Sequence, residues 1–239
     1  MAQTPKFGRP LPDWTPPRAP DAEVLEGRFA RLERLDADRH AADLHRANSA
    51  SDAIWNYLPY GPFGAAAAYH RWAREMEGST DPFFYAIRDR ATGHLGGVAS
   101  YLRITPSVGT IEVGHINLSP ELQRTPAATE AMYLMMQWAF EAGYRRYEWK
   151  CDALNLPSRR AAQRLGFSYE GTFRQATIYK GRNRDTAWFA AIDADWPPLK
   201  AAYQAWLAPG NFTDAGGQIE RLSDLTRLVR VSDDPGLKG

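Results

Sequence analysis

The sequence has 239 residues and sets 29 lysines and arginines against 28 aspartates and glutamates, a balance that excludes the broad charged field of a general nucleic-acid or membrane binder. Its single cysteine, Cys151, rules out an internal disulfide framework and a cysteine-built zinc site, and fits a reducing cytoplasm. No apolar run approaches the roughly 20 residues of a membrane span and the N-terminus lacks a signal-peptide core, so a soluble, cytoplasmic chain is expected, with no metal, nucleic-acid or membrane partner. The length suits one domain with extensions.

Residues 1–23 read as an arm, because prolines at 5, 10, 12, 16, 17 and 20 prevent regular helix, and Trp14 is placed to pin it to the domain. A first strand is expected over 27–35, carried by Phe29, Leu32 and Leu35. Asp36 reads as the N-cap of a helix reaching about residue 48, and a second helix fits 64–77. Between them, residues 51–63 crowd Trp55, Tyr57, Tyr60 and Phe63 onto a proline-containing loop. Three strands follow as an antiparallel meander, 83–89, 96–104 and 110–118, with Gly114 marking an irregularity in the last.

A long helix begins near Pro126, with Met132, Met135, Met136 and Ala139 on one side. Then come a strand at 147–151, a helix at 158–165 and two strands at 169–179 and 186–192, with Gly181, Arg182 and Asn183 in the turn. Residues 199–207 read as an added helix. The tail 209–239 reads as weakly ordered, although Ile219, Leu222, Leu225 and Leu228 have the spacing of a docking helix. The expected division is an arm at 1–23, a main domain at 24–195 and a C-terminal helix with polar tail at 196–239. The expected class is α+β (α/β), a mixed, mostly antiparallel sheet of about seven strands with helices on both faces.

The stretch 112–142 reads as strand, polar turn and helix. Free N–H groups at the helix start, the positive end of its dipole and the Arg124 guanidinium together suit a phosphate or pyrophosphate. Ser119-Pro120-Glu121-Leu122-Gln123, followed by Ala128-Thr129-Glu130-Ala131, resembles the acetyl-CoA motif of the GCN5-related N-acetyltransferase (GNAT) superfamily, closest to the branch with ribosomal-protein N-terminal acetyltransferases of the RimJ and RimL type. Asn155, Ser158, Arg159, Leu165, Gly166 and Phe167 resemble the second cofactor motif of that branch, and GRNRDTAWF at 181–189 resembles its closing hairpin. The three blocks stand in order, and the resemblance covers about 25–193.

The resemblance implies the GNAT fold and transfer of acetyl from acetyl-CoA to a primary amine by direct attack. The acceptor is then a small amine or a protein N-terminus. Such an enzyme must deprotonate an ammonium, stabilise an oxyanion and protonate a leaving thiolate. Ile116, Leu118, Gln123, Arg124, Ala127, Ala128, Thr129, Asn155 and Ser158 are the implied cofactor residues. Two positions depart from the pattern. Pro126 stands where the family has a glycine and offers no N–H, and Arg124, where a small residue is usual, can supply the lost donors. Equally, Pro126 simply starts the helix.

Glu112 is the first candidate base, through ordered water, against the plain reading of an exposed strand glutamate. His115 is its rival, on the opposite face unless a bulge at Gly114 intervenes. Ala162 stands where many members carry an acid tyrosine, which leaves Ser158 to serve the thiolate; Asn155 and Ser158 also read as ordinary helix caps. Trp55, Tyr57, Tyr60 and Tyr179 can wall an acceptor slot, with Asp52 for the amine charge and Arg174 for a carboxylate, or the aromatics can merely staple the loop to the sheet. Arg182, Arg184 and Asp185 read as turn and ion-pair residues. The alternatives are use of another acyl-CoA such as succinyl-CoA, and a non-catalytic CoA-binding or partner-binding module. The tail leaves room for a homodimer.

Overall fold

In the computed structural model, which describes residues 6–237, a single sheet carries the helices on its two faces. A hairpin of β1 (Val24–Glu26) and β2 (Ala30–Arg34) precedes helices α1 (Ala37–Asn48) and α2 (Ala66–Glu77). The meander β3 (Phe83–Asp89), β4 (Leu95–Thr105) and β5 (Thr110–Leu118) leads into α3 (Pro126–Glu141). Then follow β6 (Arg146–Asp152), α4 (Leu156–Arg164), β7 (Ser168–Tyr179), β8 (Arg182–Ile192), α5 (Trp196–Leu207) and α6 (Leu222–Thr226). The strand order is β1-β2-β3-β4-β5-β6-β8-β7, and every pairing is antiparallel except β5 with β6.

The mixed, mostly antiparallel sheet therefore has eight strands rather than about seven. The single strand expected over 27–35 is a hairpin, turned by Gly27 against the Glu130 carboxylate of α3. That carboxylate accepts the N–H groups of Arg28, Phe29 and Ala30 at 2.9, 2.5 and 2.7 Å. A Cβ on residue 27 would run into the carboxylate.

Strand alternation sends successive side chains to opposite faces and makes two cores. Ile111, Val113, Tyr147, Trp149 and Phe189 face α3 and α4 with Met132, Met135, Met136 and Phe167. Phe84, Ala86 and Val98 face α1 and α2 with Leu44, Trp55, Tyr69 and Trp72.

The extensions are tied down. Trp14 donates Nε1–H to the Ser107 carbonyl at 3.1 Å and covers Gly109; Met1 to Pro5 of the arm lie outside the described residues. The tail, expected to be weakly ordered, packs on α4 and β7. Asp234 is fully buried and accepts from Arg159 Nε and Nη2 at 2.7 and 2.5 Å. The expected docking helix shortens to α6, because Ile219 and Leu228 are exposed; Lys238 and Gly239 lie outside the described residues. Among the described residues no helix is long and apolar enough to cross a membrane, and no cluster of three His, Cys, Asp or Glu side chains could hold a metal ion.

Candidate active site

The parallel pair β5–β6 holds only from Thr110 opposite Arg146 to Val113 opposite Trp149. Beyond it β6 stays with β8 as far as Asp152, and β5 stays with β4, so the two strands part. From Gly114 to Leu118 the β6-facing edge of β5 has no strand partner, and such an edge can pair with an extended amide chain. Ile116 and Leu118 lie on this free stretch and pack partly against the larger core.

Val98 lies opposite Asn117 and Ser100 opposite Gly114, so β5 advances three residues while β4 advances two. The extra residue is His115, at φ 50°, rather than Gly114. This bulge resolves the question of faces: His115 lies with Glu112 on the face opposite the larger core. Its ring stacks on Tyr60 at 5.5 Å, and its Nδ1 is 3.2 Å from the Tyr60 hydroxyl.

Glu112 is not an exposed strand glutamate; its side chain is 3% exposed. Arg103 donates to its Oε1 at 2.6 Å. Lys150 Nζ stands 2.9 Å from Oε2 and brings a second positive charge to the carboxylate. The same ammonium is 2.7 Å from Glu148 and 3.8 Å over the Trp188 indole. Burial pushes the Glu112 carboxyl above its ordinary range, against the pull of Arg103 and Lys150. Burial, helped by Arg103 and Arg184, pushes His115 down to about 4 and leaves it neutral at pH 7.

At the start of α3 the accounting of donors is short. Thr125 caps the helix, and its Oγ1 accepts the Ala128 N–H at 3.1 Å; the Thr129 N–H goes back to the Thr125 carbonyl. Pro126 has no N–H, so among the described residues only Arg124 and Ala127 hold unpartnered N–H groups in the turn from Gln123 to Thr129. Arg124, exposed at φ 63°, adds its guanidinium. Two N–H groups, a sixteen-residue helix dipole and a free cation fit a phosphate. Gln123 bridges the turn through Nε2 to the Leu118 carbonyl at 2.9 Å. Ala127, Ala128 and Thr129 are buried, and Thr129 Oγ1 accepts both Arg164 Nη groups at 3.2 Å.

Across the gap Asn155 caps α4, accepting the Ser158 N–H at 3.1 Å. The Ser158 hydroxyl accepts Trp149 Nε1–H at 3.0 Å and stands beside the Cys151 thiol, whose charged form its proton favours. Cys151 is buried with its thiol pushed up to about 11, chiefly by that burial, and Ala162 is fully buried.

The aromatic loop divides. Trp55 and Tyr60 belong to the smaller core, where Trp55 meets Tyr60, Phe63 and Tyr69 edge-on. Tyr57 reaches across to the Leu154 carbonyl at 3.2 Å and Tyr179 to Asp152 at 2.9 Å, so these two converge at the open end of the gap. Asp52 is exposed beside His45, Asn48 and Ser49 at the end of α1, and Arg174 is exposed on β7 with its charge falling on Asp185. Neither joins the others. The sequence alone did not mark Arg103, Lys150 and Asp152, and assigned Arg184 only a turn and ion-pair role. A signal existed in β6, where Glu148, Lys150 and Asp152 alternate with the core residues Tyr147, Trp149 and Cys151.

A family model for an acetyltransferase (GNAT) domain matches residues 30–168, more than half of the chain. The chain belongs to the GNAT acetyltransferase family. A GNAT relative of known structure, a GCN5-related N-acetyltransferase from Brucella melitensis, is 46% identical over 91% of this chain and 100% of its own, with a TM-score of 0.89. A probable acetyltransferase of the GNAT family from Chromobacterium violaceum ATCC 12472 is 38% identical over 82% and 100%, with a TM-score of 0.76. RimL, a ribosomal L7/L12 alpha-N-protein acetyltransferase, shares the GNAT fold at 21% identity over 71% and 94%, with a TM-score of 0.62. No curated protein matches the chain.

Proposed function

We propose that this GNAT chain is a cytoplasmic N-acetyltransferase of the RimJ/RimL-like type, taking acetyl from acetyl-CoA to a primary amine on a small molecule or a protein N-terminus. The observation that carries the reading is a buried carboxylate, Glu112, on the strand that leaves its partner beside an anion-ready helix start. Arg124 and the N–H groups of Arg124 and Ala127 take the pyrophosphate, and the free edge of β5 pairs with the pantetheine amides. Bound acetyl-CoA supplies an activated thioester, whose acetyl carbon gains a bond to the acceptor nitrogen as the carbon–sulfur bond breaks.

Glu112 takes the ammonium proton, directly or through one water, and its raised pKa makes it the stronger base of the two candidates on that face. His115, held neutral with a pKa of about 4, orients rather than abstracts. Ser158, already accepting from Trp149, donates toward the leaving sulfur. Tyr57, Tyr179 and Asp152 line the entrance for the acceptor.

The test is thiol release from acetyl-CoA with a panel of amines and peptides. Glu112→Gln should lower kcat by about 100-fold or more and leave KM for acetyl-CoA near its wild-type value. An unchanged kcat in a folded variant removes Glu112 from the chemistry.

A further inference from the structure

Nearly every charged group on this face of the sheet is matched. Glu112 has Arg103 and Lys150, and Glu148 has Lys150 and Arg146. Asp152 accepts from Tyr179 and from the Leu154 N–H, Asp185 from the Gln175 N–H and Asn183, and the Lys180 ammonium is spent on the Trp55 carbonyl. Arg184 is the exception. It forms no ion pair among the described residues, and its Nε–H is buried with no hydrogen-bond partner. A buried guanidinium donor left unmatched costs free energy unless something else completes it.

The position of Arg184 tells what that something is beside. It stands on β8 opposite Thr177 of β7, with its guanidinium 5.7 Å over the Tyr179 ring. Its charge reaches His115 on β5, Cys151 on β6 and Tyr179 on β7. Those three residues surround the place where β5 and β6 part. Two residues further along the same face is Thr186, and then Trp188, whose Nε1–H is also buried without a partner beside Lys150. The turn and ion-pair role expected of Arg184 is thus not what the structure holds.

We propose that Arg184 recognises a carboxylate of the substrate, carried either by the amine acceptor or by the far end of a dicarboxylic acyl group. The inference rests on the acyltransferase reading for the identity of that substrate. A planar guanidinium with free N–H groups matches a carboxylate in two parallel hydrogen bonds. Among the described residues no carboxylate pairs with Arg184, and its guanidinium lies over the Tyr179 ring, as arginines do on aromatic faces.

Calorimetry on the full chain tests it with the two sources kept apart. One arm compares succinyl-CoA with acetyl-CoA; the other, with CoA saturating, compares each common amino acid with its α-amide. Both are run on the wild type, Arg184→Gln and Arg184→Lys. Since Nε makes no hydrogen bond, the substitutions should leave the melting temperature near that of the wild type. The expected result is a carboxylate advantage of about 10- to 100-fold in one arm, lost in Arg184→Gln and partly kept in Arg184→Lys. No advantage in either arm, or one that survives Arg184→Gln, overturns the proposal, and acetyl-CoA binding in that case leaves the transferase reading standing. Failure of every acyl-CoA to bind, with amino acids still preferred through Arg184, keeps the carboxylate site and removes the transferase reading.

Discussion

Glu130 shows how one side chain of the cofactor-type motif organises the fold around it. Its carboxylate, 4% exposed, accepts three backbone N–H groups from the β1–β2 turn and so fixes the first hairpin against α3. Glu130→Ala removes both acceptor oxygens and leaves the three backbone N–H groups without their partner. Arg28 is exposed, so water replaces its bond; the losses that count are at half-buried Phe29 and buried Ala30. At about 1.5–3 kcal/mol for a hydrogen bond to a charged group, these two sum to roughly 3–6 kcal/mol, a large share of a typical domain's stability. In urea titration the midpoint should fall by about 1–2 M at an unchanged slope of about 2.5 kcal/mol/M. A midpoint within about 0.2 M of the wild type would refute the claim that this carboxylate holds the hairpin.

Other outcomes follow from buried charge. His115 titrates near 6.5 when unfolded and near 4 when folded, so between those values the unfolded chain holds more protons. Stability complete above pH 6.5 is therefore lost as pH falls to about 4, by about 3 kcal/mol, and His115→Asn, which tolerates a positive φ, should flatten that slope in pH-dependent denaturation. Glu33, held down to about 2 because Arg88, His40 and Arg31 outweigh its burial, adds a separate loss as pH falls from 4.5 toward 2. Asp234→Ala should cost about 3–5 kcal/mol by leaving Arg159 without its buried partner, read as a lower urea midpoint; a change below about 1 kcal/mol would show that water serves Arg159 as well.

The helices and the meander were legible because capping residues, glycines and apolar spacing are local signals. Asp36 caps α1 and α3 begins at Pro126, where the sequence places them. The break between β1 and β2 was not legible, since its cause, Glu130, stands about a hundred residues away. The same holds for the tail, whose anchor Asp234 meets Arg159 from 75 residues along the chain. In the site, the candidate residues on β5 and at the start of α3 lie on one segment and could be read together. The charge cluster draws Arg103, Glu112 and Lys150 from three strands, and the alternation in β6 acquires meaning only when its neighbours are known. Trp55 and Tyr57 look alike in sequence and part in the fold, one into the core and one toward Leu154, because only packing against α2 separates them.

The most direct test of the account is calorimetric titration of acetyl-CoA into the wild type, Arg124→Ala and Pro126→Gly. With only two free N–H groups at the start of α3, the Arg124 guanidinium should carry much of the phosphate contact. The account predicts binding by the wild type, a loss of about tenfold or more on Arg124→Ala, and equal or tighter binding by Pro126→Gly, which restores a donor. No binding by the wild type, with Pro126→Gly recovering it, would contradict the account and mark a GNAT chain that has given up its cofactor.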